Sequence, residues 1–464
     1  MKRLCAVTFM LALAGLAIGC GVSNSSNSGN GNNGGNGGGS TPQPQGVFIV
    51  GEDAPIPTVV DFNITINKIT LNNNSGSVTV LSTPTTVDFG RLIGLRSLLG
   101  FNQVTPGTYT TATFSLASPV IEYINLGTNP PSLGTINGTL TNPTVTVAFP
   151  TAMVVTSAQL GGLHMDFNLR KSLQTNVAGQ MTGVVNPTIY INAVSASSQE
   201  GQVTEFTGSL VSVNSQASTF LMQGPWGFQE VIDVNSETQF NGSYNFGSMP
   251  ASGIVSVVGA VQDDGSILAS QVEIITTDKA FISGRVLQVV PSAGPAQTMT
   301  MYIGEELPAM SGNFARGQVV TLDISQISNY DVCFLNNPIT NAVFNSSEMV
   351  AGQRIFVGGS WQSSVFTPKM ISLRRQGVVG QLVAGSVKVT DINRGSFELH
   401  NNGLLGWVAS GPFTVNTFNR TNFVNVDGLS GLSSAGTAAI STGGLVLNVN
   451  GEPQVFAGHV TILP

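Results

Sequence analysis

The sequence predicts an all-β chain, an N-terminal β-sandwich followed by three small OB-like β-barrel repeats. Three observations carry this. Stretches of five to eight residues alternate apolar with polar or run β-branched, bounded by Gly, Asn or Pro, which is the strand signature. Helical periodicity is nearly absent. One strand motif occurs three times between residues 206 and 383.

In chain order, Lys2 and Arg3 precede an apolar run, Cys5 to Ile18, that ends at Gly19-Cys20. The run is too short to span a bilayer and fits the hydrophobic region of a signal peptide over residues 1–19. The stretch Leu16-Ala17-Ile18-Gly19-Cys20 resembles the lipobox of bacterial lipoproteins, with Ala17 in place of the commoner leucine. The resemblance implies cleavage before Cys20, lipidation of its thiol and a membrane contact through that lipid. The competing reading is an ordinary secretory signal with a stray cysteine. Gly21 replaces the aspartate that resembles an inner-membrane retention signal, so the expected address is the cell envelope, at the outer membrane. Residues 20–45 are almost all Gly, Asn and Ser after the cysteine. Such a segment has no apolar surface to offset ordering entropy and is expected to be a tether reaching about 25–30 Å. Gly29-x-Gly31-x-x-Gly34 matches a dinucleotide fingerprint only formally, since no strand precedes it and no helix follows.

Residues 46–196 form the expected sandwich. Val47-Phe-Ile-Val50 is a first strand. Thr58 to Leu71 is a long one in which Val60, Phe62, Ile64 and Ile66 alternate before Ile69 and Leu71 take the opposite phase. That flip predicts a bulge near Asn67-Lys68. Ser77 to Leu81 returns as a hairpin partner. Phe89 to Leu99 is the one convincing helical candidate, and Gly94 and Gly100 weaken or end it. Thr105-Pro-Gly107 launches Thr108 to Leu116. Val120 to Leu126, Thr144 to Phe149, Leu163 to Leu169 and Thr188 to Val194 complete the strands. The sequences Val59-Val-Asp-Phe-Asn-Ile-Thr-Ile-Asn-Lys68, Val87-Asp-Phe89, Pro106-Gly-Thr-Tyr109 and Leu163-His-Met-Asp-Phe-Asn-Leu169, with the Leu-rich turn to Leu99, resemble a bacterial lipoprotein-borne module, domain of unknown function 4382. That family implies no activity.

Three units follow, at 200–278, 280–375 and 376–464. Phe206-Thr-Gly208-Ser-Leu-Val-Ser-Val213 recurs as Phe281-Ile-Ser-Gly284-Arg-Val-Leu-Gln-Val289 and as Val378-Val-Gly380-Gln-Leu-Val383. A second strand follows each: Thr219 to Met222, Thr298 to Tyr302, Ser396 to Leu399. A glycine-flanked strand comes later: Gly253 to Gly259, Gly352 to Gly358, and more loosely Gly436 to Thr442. Five strands in about 75 residues suit a small barrel. The tandem pattern resembles domain of unknown function 5666, and the second and third copies are stretched by insertions.

Composition excludes several function classes. Formal charge is −7, and losing Lys2 and Arg3 makes the mature chain −9. An acidic chain without basic patches argues against nucleic acid as a partner. Past the signal only Cys20 and Cys333 remain, so no disulfide framework exists, and the apolar setting of Cys333 predicts a buried, inert thiol. None of His164, His400 and His459 has a ligand at metal spacing, so no metal or cofactor is expected. The sequence has no G-x-S-x-G and no H-E-x-x-H. Glu52-Asp53 reads as loop, Asp263-Asp264 as a turn, Glu305-Glu306 as a solvated edge. Asp166, inside an apolar strand, is a candidate buried carboxylate, structural or functional. Asp263-Asp264 or Asp427 could ligate Ca²⁺, but no spaced oxygen-ligand loop is visible.

Trp226, Trp361 and Trp407 fall one per unit. They are candidate ligand-stacking platforms or, more plainly, plugs of their barrels. The reading these observations favour is a non-enzymatic, membrane-anchored surface lipoprotein with a structural, adhesive or assembly role, partnered by envelope proteins or glycans. The alternative is a carbohydrate-binding surface module using the loop tryptophans. An enzyme built on Asp166 is a third class, and it lacks the paired base and orienter that catalysis needs.

Overall fold

The computed structural model describes residues 45–463, apart from 55, 57, 93, 126–131, 158, 178–179, 225–228, 279, 308–313, 338, 340–341, 363–364, 401–404 and 406–410. The proposed signal, Cys20 and nearly all of the tether lie outside the described residues, as do Trp226 and Trp407. The chain is almost entirely β, with 64% strand against 6% helix, as the scarcity of helical periodicity predicts. Five large sheets are arranged like a five-blade propeller, and a three-stranded sheet accompanies them.

The first thirteen strands are β1 Gln45–Ala54, β2 Val59–Asn73, β3 Gly76–Leu81, β4 Thr85–Asp88, β5 Ser97–Val104, β6 Gly107–Asn125, β7 Ser132–Asn137, β8 Thr139–Leu140, β9 Thr144–Val155, β10 Gly161–Asn168, β11 Leu173–Thr175, β12 Met181–Val185 and β13 Ile189–Val194. One sheet has the order β13-β10-β1-β5, and a second is built on β3-β2-β6-β7. β1 pairs parallel with β10 and antiparallel with β5. Both of its faces are buried. Val47 and Ile49 join a core with Phe62, Ile64 and Phe167, while Phe48 and Val50 join another with Phe206 and Val255. This two-sided burial is why Val47-Phe-Ile-Val50 is unbroken by polar residues. The phase flip in β2 is a register shift between Ile66 and Lys68, and it keeps Phe62, Ile64, Ile66, Ile69 and Leu71 all buried.

Two expectations fail here. The helix over Phe89 to Leu99 is only a 3-10 turn, Phe89–Arg91. Leu98 pairs with Val50 as part of β5, so long-range pairing overrides local leucine content. Thr108 to Leu116 and the strand expected after it are one strand, β6, bent at Ser118 (φ 49°).

The next strands are β14 Val203–Asn214, β15 Thr219–Gln223, β16 Gln229–Asp233, β17 Gln239–Phe240, β18 Gly253–Val261 and β19 Ile267–Thr276. They are followed by β20 Ala280–Val290, β21 Thr298–Leu307, β22 Val319–Asp323, β23 Asn329–Val332, β24 Arg354–Gln362 and β25 Val365–Leu373. The last are β26 Gln376–Leu382, β27 Lys388–Asp391, β28 Arg394–His400, β29 Phe413–Thr417, β30 Asn422–Val424, β31 Ala439–Val449 and β32 Glu452–Ile462. Each of the three groups makes its own sheet. In each, the opening strand lies between two others: β14 between β15 and β18, β20 between β21 and β24, β26 between β28 and β31. The recurring glycines sit on those opening strands. A Cβ at Gly208, Gly284 or Gly380 would lie 2.4, 1.8 or 2.4 Å from the carbonyl oxygen of Gln223, Tyr302 or His400. The fourth long strand of each group shifts register at a glycine: Val258/Gly259, Gly358/Gly359 and Gly443/Gly444. In the third group this glycine pair, not Gly436, is the equivalent feature.

The groups share cores. Leu445 packs in the cluster of Ile282 and Met301, and Ile254 and Ile275 pack with Phe281 and Phe356.

Candidate functional site

In a chain with 9% charged residues, most charges would be expected in water. Instead, many lie inside strands. β2 turns Phe62 and Ile64 to the core, so Asp61 and Asn63 face the other way. Asp61 sits directly across from Glu122 of β6, and Asn63 across from Asp88 of β4. β20 and its neighbours cover this face. Arg285 of β20 lies opposite Tyr302 on β21 and opposite Arg354 on β24.

Together these residues wall a cavity of about 40 Å³, lined by Asp61, Asp88, Arg91, Arg285, Arg316 and Arg354 among others. Tyr302 Oη donates to Asp61 Oδ2 at 3.3 Å, and the Phe62 N–H donates to Asp88 Oδ1 at 3.1 Å. Arg91 Nη1 pairs with Glu305 Oε2 at 2.5 Å. Arg354 grips Glu205 of β14 with both ends of its fork, at 2.8 and 3.2 Å, and donates to the Arg375 carbonyl. Nearby, Arg374 and Glu273 pair at 2.7 Å with neither side chain exposed. Arg316 Nε stands 4.0 Å from Asp61. The guanidinium of Arg285, half-buried, has no hydrogen bond or ion pair among the described residues.

Burial and then the Asp88 carboxylate push Asp61 well above the usual carboxylate range, so Asp61 holds a proton and hydrogen-bonds Asp88. Burial raises Glu122 to about 7, against the opposing pull of Arg316. Burial would raise Glu205 too, but the charge and hydrogen bonds of Arg354 prevail and hold it at about 2. Burial lowers Arg285 to about 10, helped by the facing Arg354.

The cavity is too small for a polymer and large enough for a few waters or one small ion. No group of three His, Cys, Asp or Glu side chains suited to a metal occurs among the described residues. Asp263 and Asp264 are in a turn, as expected. Glu52-Asp53 is not loop but part of β1, and Glu305 is not a solvated edge but buried against Arg91. Asp166 is half-buried beside Asp53. Burial and then Asp166 push Asp53 well up. Cys333 is buried, and burial pushes its thiol up to about 11.

His164 and His459, far apart in sequence, both approach Glu52. His164 Nε2 lies 3.1 Å from it, and Glu52 raises His459 against the stronger effect of burial. Trp361 is half-buried with its ring against Phe314 and Phe366, at 5.0 and 5.2 Å between centroids. The sequence reading missed the pocket. Its signal was a charge within an apolar strand, as at Asp61, Glu205 and Arg354.

Fold and site together define an all-β chain with charged side chains buried where its sheets meet. Residues 50–185 match the model of a family described as a domain of unknown function, DUF4382. No curated protein matches the chain.

Proposed function

We propose that this protein is a non-enzymatic lipoprotein of the bacterial cell envelope, a rigid β ectodomain with a structural, adhesive or assembly role. Its anchor is the lipidated Cys20, its leash the Gly/Asn/Ser segment to residue 45, and its address the outer membrane. In this reading residues 46–196 are a β-sandwich, and 200–278, 280–375 and 376–464 are OB-like barrels resembling domain of unknown function 5666. For the sandwich, the support is one core shared by the β1 and β2 sheets. For the barrels, it is the ring of pairings in the first and third groups, where β16 bonds both β15 and β19, and β29 bonds both β28 and β32.

The observation that carries the reading is the pair of buried ion pairs joining the first group to the second, Glu205–Arg354 and Glu273–Arg374. Beads on a flexible string would expose these charges. Locked units transmit position and force between an anchor and a partner instead. The test is a Cys20→Ser variant expressed in a host with lipoprotein processing. The wild type should fractionate with membranes as a chain starting at an acylated Cys20, and the variant should be released. Residues 1–19 retained in the wild type, or membrane association indifferent to Cys20, would overturn the reading.

A further inference from the structure

The pocket between β2, β4 and β20 holds an arginine that its own side chains do not pair. Arg285 and Arg354 face each other across adjacent strands, where like charges repel. Glu205 neutralises Arg354 through a two-point contact, and Glu305 neutralises Arg91. Burial and the neighbouring Asp88 push Asp61 toward its protonated form. Arg316 stands 4.0 Å from Asp61 and is also attracted by Asp88 and Glu122, whereas Arg285 feels only the longer-range pull of Asp88 and has no hydrogen bond or ion pair among the described residues. The Arg285 guanidinium is thus left without a directly bonded carboxylate at the wall of a cavity of about 40 Å³.

We propose that this pocket is a binding site for a small singly charged oxyanion of carboxylate type, seated on the Arg285 guanidinium and flanked by Arg316 and Tyr302. The guanidinium fork matches two oxygens on one centre, which a halide does not offer. The bound anion would also relieve the repulsion between Arg285 and Arg354. This site goes beyond the structural role proposed above and stands or falls separately from it.

The test is thermal unfolding of the intact ectodomain titrated with sodium acetate, sodium phosphate or sodium chloride at constant ionic strength. In wild type, acetate should raise Tm in a saturating way that chloride does not, since a ligand that binds only the native state stabilises it. A saturating rise with phosphate but not acetate would replace the carboxylate assignment with a phosphate one. In R285Q the response should vanish, while its Tm in chloride equals or exceeds that of wild type because the repulsion is gone. R316Q changes a more exposed side chain and guards against a misfolded R285Q. It should weaken the apparent affinity about tenfold, the loss of one charged contact. Equal shifts with all three salts, or an undiminished acetate response in R285Q or R316Q, would overturn the site.

Discussion

Gly284 shows what a single hydrogen in place of a side chain does here. Its Cβ position lies 1.8 Å from the Tyr302 carbonyl oxygen, a backbone atom that no rotamer change can move aside. Alanine there must push β20 and β21 apart. G284A should therefore cost on the order of 3 kcal/mol in urea unfolding, with G208A and G380A costing less at their 2.4 Å approaches. Gly443, where the nearest atom is His459 Cβ at 3.8 Å, is the control, and G443A should change little. Equal costs at all four positions would mean that the recurring glycines are chosen for flexibility rather than space. These glycines were legible in the sequence because the clash is local to one pair of strands. The bulge at Ile66/Lys68 was legible for the same reason, as a change of phase. Leu98 and Leu99 misled because their fate depends on Val50 and Gly51, half a module away.

At the scale of elements, the strands carry partners that no local reading could pair. Glu205 and Arg354 are 149 residues apart, Arg91 and Glu305 are 214 apart, and Asp61 and Tyr302 are 241 apart. Each charge alone read as an irregularity in a strand, so the pocket stayed hidden while the strands did not. The Glu205–Arg354 pair also sets a stability expectation. Taking both charges from water costs several kcal/mol, which their contact must repay. Removing one partner strands the other, so E205L should destabilise by about 3–5 kcal/mol, as should R354M. The double variant E205L/R354M, with apolar groups on both sides, should recover most of that loss. A double-mutant cycle by denaturant unfolding measures this directly. Additive losses would show that the two side chains act independently and that the seam between the groups does not depend on their contact.

For the molecule as a whole, the buried carboxyls divide into two sets with opposite pH behaviour. Glu205 sits at about 2 in the fold against an ordinary 4.5, so its contribution is complete above 4.5 and is lost as pH falls toward 2. Glu122 at about 7 and Glu230 at about 8 are raised chiefly by burial, and Asp53 and Asp61 are raised well above their ordinary value. These groups hold protons that the unfolded chain has already released. The native state is favoured while they stay protonated and loses ground as pH climbs through their folded values. The slope is about 1.4 kcal/mol per pH unit for each proton by which the states differ. His459, lowered by burial, opposes this trend, with a loss of stability as pH falls below its ordinary 6.5. Carboxyls outnumber it, so Tm should peak on the acid side of neutrality, at about pH 5, and decline steadily toward pH 9. Scanning calorimetry across that range checks the shape, and E122Q/E230Q should flatten the alkaline limb. A maximum at or above pH 8 would mean that the carboxyls where these sheets meet are ionised and paired rather than protonated.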